Sequence, residues 1–146
     1  MAVAFYTEEV KWPSFLKKRR LSRWMKTVAA GYGKRIGTVA YLFCTEEKIL
    51  EVNRRFLQHD YYTDVITFDY SDGDELSGDI YISPDTVRSN AGLFGTEFPE
   101  ELHRILIHGI LHLCGLKDKT AEERSEMTLA EDSALALFLR EEEGER

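Results

Sequence analysis

Residues 108–120 read HGILHLCGLKDKT: two histidines four apart, a glycine, then an aspartate between two lysines. At ~100° per residue, His108 and His112 differ by only about 40° around a helix, so both rings share one face. Neutral imidazole is a good ligand for Zn2+ and similar first-row ions, and this pairing is a common way to hold one. The same spacing also arises from two core histidines bonded to backbone carbonyls. The surroundings sharpen the metal reading. PEELHRILIHGILHLCG is apolar on nearly every side beyond Glu101, so imidazoles without partners would be costly there. Gly109 carries no side chain beside His108, which lets a substrate or a strand come close. Gly115 is a natural left-handed stop, and a chain that reverses there can bring Asp118 back toward the imidazoles.

Asp118 would complete an H-x3-H-x5-D set, with His59 as the rival for the third position. Cys114 lies ~200° around the helix from His112 and, like His103, faces elsewhere. Lys117 and Lys119 cannot bind metal while protonated but can contact phosphate. Where a zinc peptidase of the HExxH type has its glutamate base, this chain has Gly109.

These residues need a frame. VAFYTE (3–8), RIGTVAYLFC (35–44), YTDVITFDY (62–70) and SGDIYIS (77–83) read as strands, the last two as a hairpin across SDGDE. WPSFLKKRRLSRWMKTVAAGYG reads as a helix with Pro13 in its first turn, an apolar side of Phe15, Leu16, Trp24, Met25 and Val28, and an end at Gly31 or Gly33. Thr45 caps a second helix, and Ser83-Pro84 opens a short third. Pro99 starts the histidine helix. Thr120 and Glu123 form a capping-box pattern before the last, through Leu129, Ala134, Leu137 and Phe138. The tail EEEGER is expected to fray. The order β-α-β-α-β-β-α-α-α predicts an α+β fold, a small mixed sheet of about four strands covered by helices, with residues 1–146 as one domain; the metal site proposed above would make it a metal-dependent hydrolase domain.

Composition is that of an ordinary folded chain, with 43% hydrophobic and 31% charged residues. No apolar run approaches ~18 residues, and the N-terminus lacks a basic stretch followed by an apolar one. A cytoplasmic protein without membrane contact is therefore expected, with Cys44 and Cys114 as buried thiols. Net charge is −7, split into +6 over residues 1–60 and −13 over the rest. A polyanion can still dock on the N-terminal half, although from charge alone solvated faces are the preferred reading.

HGILHLCGLKD resembles the H-G-x-L-H-L-x-G-Y-D-H signature of the YbeY family of bacterial metal-dependent endoribonucleases. VNRRFLQHDYYTDVITF resembles that family's L-N-x-x-[YF]-R-x-x-D-x-x-T-D-V-L-S-F, and SGDIYIS its G-D-I-x-I-S strand. The blocks stand in the family's order over about residues 50–120. The resemblance implies a single-strand-specific endoribonuclease with one Zn2+ per chain. It implies action in maturation of the 3′ end of small-subunit (16S) ribosomal RNA and in ribosome quality control, with RNA and the ribosome or its small subunit as partners. His108 and His112 match the family's ligands, while Asp118 stands where the third histidine belongs and adds a negative charge to the site. The family's phosphate-contacting arginine falls on Leu57. Arg54 and Arg55 lie nearby as stand-ins, and Arg54, three residues earlier, is closer to its face. Thr67 keeps the hydroxyl of the family's serine for substrate contact. Tyr61, Tyr62, Phe68 and Tyr70 are available for base stacking. Asp64 and Asp69 are the candidate bases. Two other readings compete: a non-catalytic ribosome-assembly factor with a structural metal, and a zinc hydrolase of other substrates.

Overall fold

A computed structural model describes residues 2–58 and 63–144, with side chains to Glu141. His59, Tyr61 and Tyr62, the rival ligand and two of the stacking candidates, lie outside the described residues. The elements follow the expected order: β1 Ala2–Thr7, α1 Lys18–Gly31, β2 Arg35–Phe43, α2 Glu46–Val52, β3 Val65–Asp69, β4 Glu75–Ile82, α3 Pro84–Phe94, α4 Phe98–Leu113 and α5 Ala121–Gly144. A π-helical turn, Asn53–Leu57, extends α2 and contains Leu57. The sheet runs β1-β2-β4-β3, parallel except for the antiparallel β3–β4 pair. This is the mixed four-stranded α+β arrangement, with the hairpin where SDGDE places it.

Alternation along β4 sends Leu76, Ile80 and Ile82 to one face, where they join Val39, Tyr41 and Phe43 of β2. That face packs against Trp24 and Met25 of α1 and against Leu102, Leu106 and Ile110 of α4. Two buried hydrogen bonds fix the helices. The Tyr41 hydroxyl donates to the Leu106 carbonyl at 2.6 Å, and the Trp24 indole donates to the Ala134 carbonyl of α5 at 2.8 Å. Cys44, Ile49, Val52 and Ile66 form a second, smaller cluster with Leu42, Phe68 and Tyr81. Phe68 thus packs edge-on against Phe56 and Tyr81, whereas Tyr70 is exposed.

Three expectations need correction. Helix α1 starts at Lys18, not near Pro13. Trp12 stacks on Phe43 at 5.3 Å and donates its indole N–H to the Leu16 carbonyl, which holds residues 12–16 in a turn before the helix begins. Helix α5 is helical as far as Gly144. Its buried stripe is Met127, Glu131 and Ala134, while Leu129 points to solvent. Cys114 is half-buried rather than buried, although Cys44 is fully enclosed.

Candidate metal centre

Helix α4 is apolar around most of its circumference because it lies between the sheet and its neighbouring helices. One stripe breaks that pattern. Glu101, Arg104, Ile105, His108 and His112 follow at three- and four-residue steps and line one cleft of about 510 Å3. Val65, Thr67 and Asp69 alternate along β3 and enter the same cleft from the sheet edge, next to Asp64. Asn90 and Phe94 of α3 and Glu131 of α5 also line it.

Helix α4 ends as its glycine requires. Gly115 adopts φ +108°, the Gly115 amide donates to the His112 carbonyl, and the Leu116 amide reaches back to the Leu111 carbonyl at 3.1 Å. This paired closure satisfies the His112 and Leu111 carbonyls and reverses the chain. Asp118 returns with Oδ2 at 3.4 Å from His108 Nε2 and 3.3 Å from His112 Nε2. The two rings meet edge to face with centroids 4.6 Å apart. Thr120 and Glu123 then form the reciprocal cap, each side chain accepting from the other's backbone N–H at 3.0 Å. That cap anchors the start of α5 directly after the loop carrying Asp118.

The donor set fits a metal ion. One ligand atom from each of His108, His112 and Asp118 lies within 4.8 Å of the others. Bonds of about 2.1 Å at tetrahedral angles put neighbouring donors about 3.4 Å apart, close to the two measured separations. The far side of His108 is also committed: Nδ1 is 2.7 Å from Glu131 Oε2. An ionised carboxylate only accepts, so the imidazole proton belongs on Nδ1 and the lone pair on Nε2 faces Asp118. Burial alone would push the His108 pKa down, but Glu131, Asp118 and Asp64 outweigh it and raise it. Protons therefore compete with a cation for this site.

Gly109 provides the closeness expected of it, and the neighbour is a strand. A β-carbon there would stand 2.7 Å from Ile80 Cδ1, so α4 lies against β4 only because the side chain is missing. His103 faces elsewhere, with Nδ1 at 2.7 Å from the Pro99 carbonyl oxygen and its ring among Trp24 and Phe138. Cys114 is also outside the cleft lining, and burial pushes its thiol up to about 11.

Thr67 joins the three ligand candidates in the cleft, as do both candidate bases, Asp64 and Asp69. Lys117 and Lys119 flank Asp118 but are exposed and do not line the cleft. Arg54 and Arg55 are likewise exposed, on the π-helical turn outside the lining, and Arg55 pairs with Glu51 at 3.6 Å. The cleft's guanidinium is Arg104, a residue sequence reasoning passed over although it lies one turn before His108. Glu131 was also missed. Its signal was a charged residue on the apolar stripe of α5, between Met127 and Ala134.

The profile of the family Endoribonuclease YbeY matches residues 4–138. Endoribonuclease YbeY of Bacteroides thetaiotaomicron is 61% identical over 137 residues, covering 94% of this chain and 99% of the relative. That of Porphyromonas gingivalis strain ATCC 33277 is 49% identical over 136 residues, covering 93% and 89%. The solution structure of TM1509 from Thermotoga maritima aligns with a TM-score of 0.63 at 26% identity, over 94% of this chain and 93% of that one. The fold, the histidine-bearing helix and these similarities converge: the chain belongs to the YbeY endoribonuclease family.

Proposed function

We propose that this chain is an endoribonuclease that cleaves single-stranded RNA at a centre holding one Zn2+ on His108, His112 and Asp118. The observation that carries this reading is the convergence of two Nε2 atoms and one carboxylate oxygen in an open cleft. A purely structural zinc is closed by a fourth protein ligand, whereas a catalytic one keeps a position for substrate. Among the described residues three donors converge. Arg54 and Arg55, outside the lining, are tied to the substrate only by their nearness to Leu57 in sequence.

When bound, the ion supplies a Lewis acid for a phosphoryl oxygen and for water. The side chains around it have separate tasks. Glu131 keeps the His108 ring in one orientation. Thr67, on the sheet edge, offers a hydroxyl to the RNA backbone. Asp64 is suited to take a proton from attacking water at a carboxylate oxygen. Its oxygens receive only long contacts among the described residues, from the Thr63 hydroxyl at 3.5 Å and the Asn90 amide at 3.4 Å. Lys117 and Lys119, on the loop beside Asp118, attract the phosphodiester backbone outside the cleft.

The substrate in this reading is ribosomal RNA, with maturation of the 16S 3′ end and ribosome quality control in the cytoplasm as the setting. The test uses purified protein of measured metal content and its His112→Ala variant, incubated with ribosomal RNA and with assembled ribosomes. Cleavage by the parent alone is expected. Equal cleavage by both would exclude the metal centre from catalysis, and full metal occupancy without cleavage would make the chain a binding factor.

A further inference from the structure

Arg104 stands one turn before His108, but its ion pairs run to α5. Nη1 lies 2.8 Å from Glu131 Oε1, and Nη2 lies 2.6 Å from Asp132 Oδ1. Glu131 Oε2 is the atom 2.7 Å from His108 Nδ1. Asp132, Arg104, Glu131 and His108 thus form one continuous chain ending on a candidate ligand. The inner members are well shielded, with side-chain exposures of 23% for Arg104 and 10% for Glu131, so water competes weakly for these bonds. A guanidinium is a rigid planar fork, and fixing one prong on Asp132 fixes where the other meets Glu131.

We infer that Arg104 is a positioning residue for the metal centre. Anchored by Asp132, it sets the Glu131 carboxylate so that His108 keeps its proton on Nδ1 and offers Nε2 to the ion. This rests on the metal reading above. The competing role for Arg104 is a staple that merely joins α4 to α5. A staple changes thermal stability and leaves the imidazole unaltered. A positioning residue changes the balance of imidazole tautomers, and it does so before any ion is added. Outer partners of a ligating histidine typically alter metal affinity by about 10–100-fold.

The test compares the parent with Arg104→Met, Arg104→Lys and Asp132→Ala. Nitrogen-15 spectra of the metal-free proteins, at a pH where His108 is neutral, report its tautomer. Competition with a chromogenic chelator reports zinc affinity, and thermal melts report folding. The parent should show the Nδ1–H tautomer. Arg104→Met should show a mixture and bind zinc about 10–100-fold more weakly. Arg104→Lys should recover part of both, and Asp132→Ala should shift both by a smaller factor. An unchanged imidazole signature in Arg104→Met, with zinc affinity within about twofold of the parent, overturns the proposal whatever the melt shows. If Arg104→Met does not fold, Asp132→Ala decides alone, its carboxylate being half exposed at 54%. A parent that binds no zinc would defeat the metal reading, while the tautomer comparison still decides the role of Arg104.

Discussion

Asp118 Oδ2 lies 3.3 Å from His112 Nε2 across the end of the helix that carries the histidine. The contact exists because Gly115 turns the chain back, so the aspartate serves the centre from outside α4. Asp118→Ala should therefore weaken zinc binding by more than the roughly 10–100-fold that loss of an outer partner costs. Asp118→His should retain the ion, since imidazole is an equivalent donor, and should cleave RNA at least as fast because one negative charge is gone. Isothermal titration and a cleavage assay check both. Removing zinc with a chelator from protein saturated at about 100 times Kd should remove about 2.7 kcal/mol of stability, a drop in Tm of roughly 5–10 °C.

Glu101 supplies a prediction in pH. Burial raises its pKa; the Thr96 hydroxyl and Arg104 oppose this, and Asp64 and Glu131 add to it. A carboxyl whose pKa is raised by folding contributes stability below its unfolded value and loses it as pH rises through the folded one. Glu101→Gln keeps the neutral form at every pH. Its Tm should exceed that of the parent at pH 7, and the two should converge below about pH 4. Melts across this range measure the difference. RNA binding should also tighten, because the cleft loses a negative charge.

Packing makes a third prediction. Ile80 is fully buried, and a methyl group on residue 109 would meet both its Cδ1 and its Cγ2. Gly109→Ala should destabilise the fold by about 1–3 kcal/mol in urea unfolding, the usual effect of overpacking. Adding Ile80→Val should recover part of that loss, since it removes the atom at 2.7 Å. A loss unaltered by the second change would mean that the strand backbone, not the side chain, bears the strain.

Both cysteines should be inert. Burial pushes the Cys44 and Cys114 thiols up to about 11. At pH 8 roughly one thiol in a thousand is then the reactive thiolate. Alkylation of the native protein, followed by mass spectrometry, should be slow at pH 8 and should accelerate about tenfold per pH unit toward 11. Rapid modification of either at neutral pH would contradict this.

What the sequence reveals about this molecule is set by distance along the chain. Thr45, Ser83 and the Thr120–Glu123 pair cap helices through atoms within a few residues, and each was legible from residue type and spacing. The histidine pair and the Gly115 stop are local in the same sense. The start of α1 was misplaced because Trp12 answers to Phe43, thirty-one positions away. Glu131 shows in sequence only as a charged residue on an apolar stripe; its partners Arg104 and His108 lie 27 and 23 positions away. Arg104 was the recoverable omission: its place on the histidine face follows from helical geometry alone.

The bond from Trp24 to the Ala134 carbonyl joins the first helix of the chain to the last. Synthesis runs from the N-terminus, so the donor of this bond is made 110 residues before its acceptor. As the polypeptide is synthesised, α1 and the histidines of α4 are made before α5, which brings Glu131 and closes over Trp24. Until then His108 lacks the partner that orients its ring. A copy that stops before α5 would lack both Glu131, the partner of His108 Nδ1, and the carbonyl that receives the Trp24 indole.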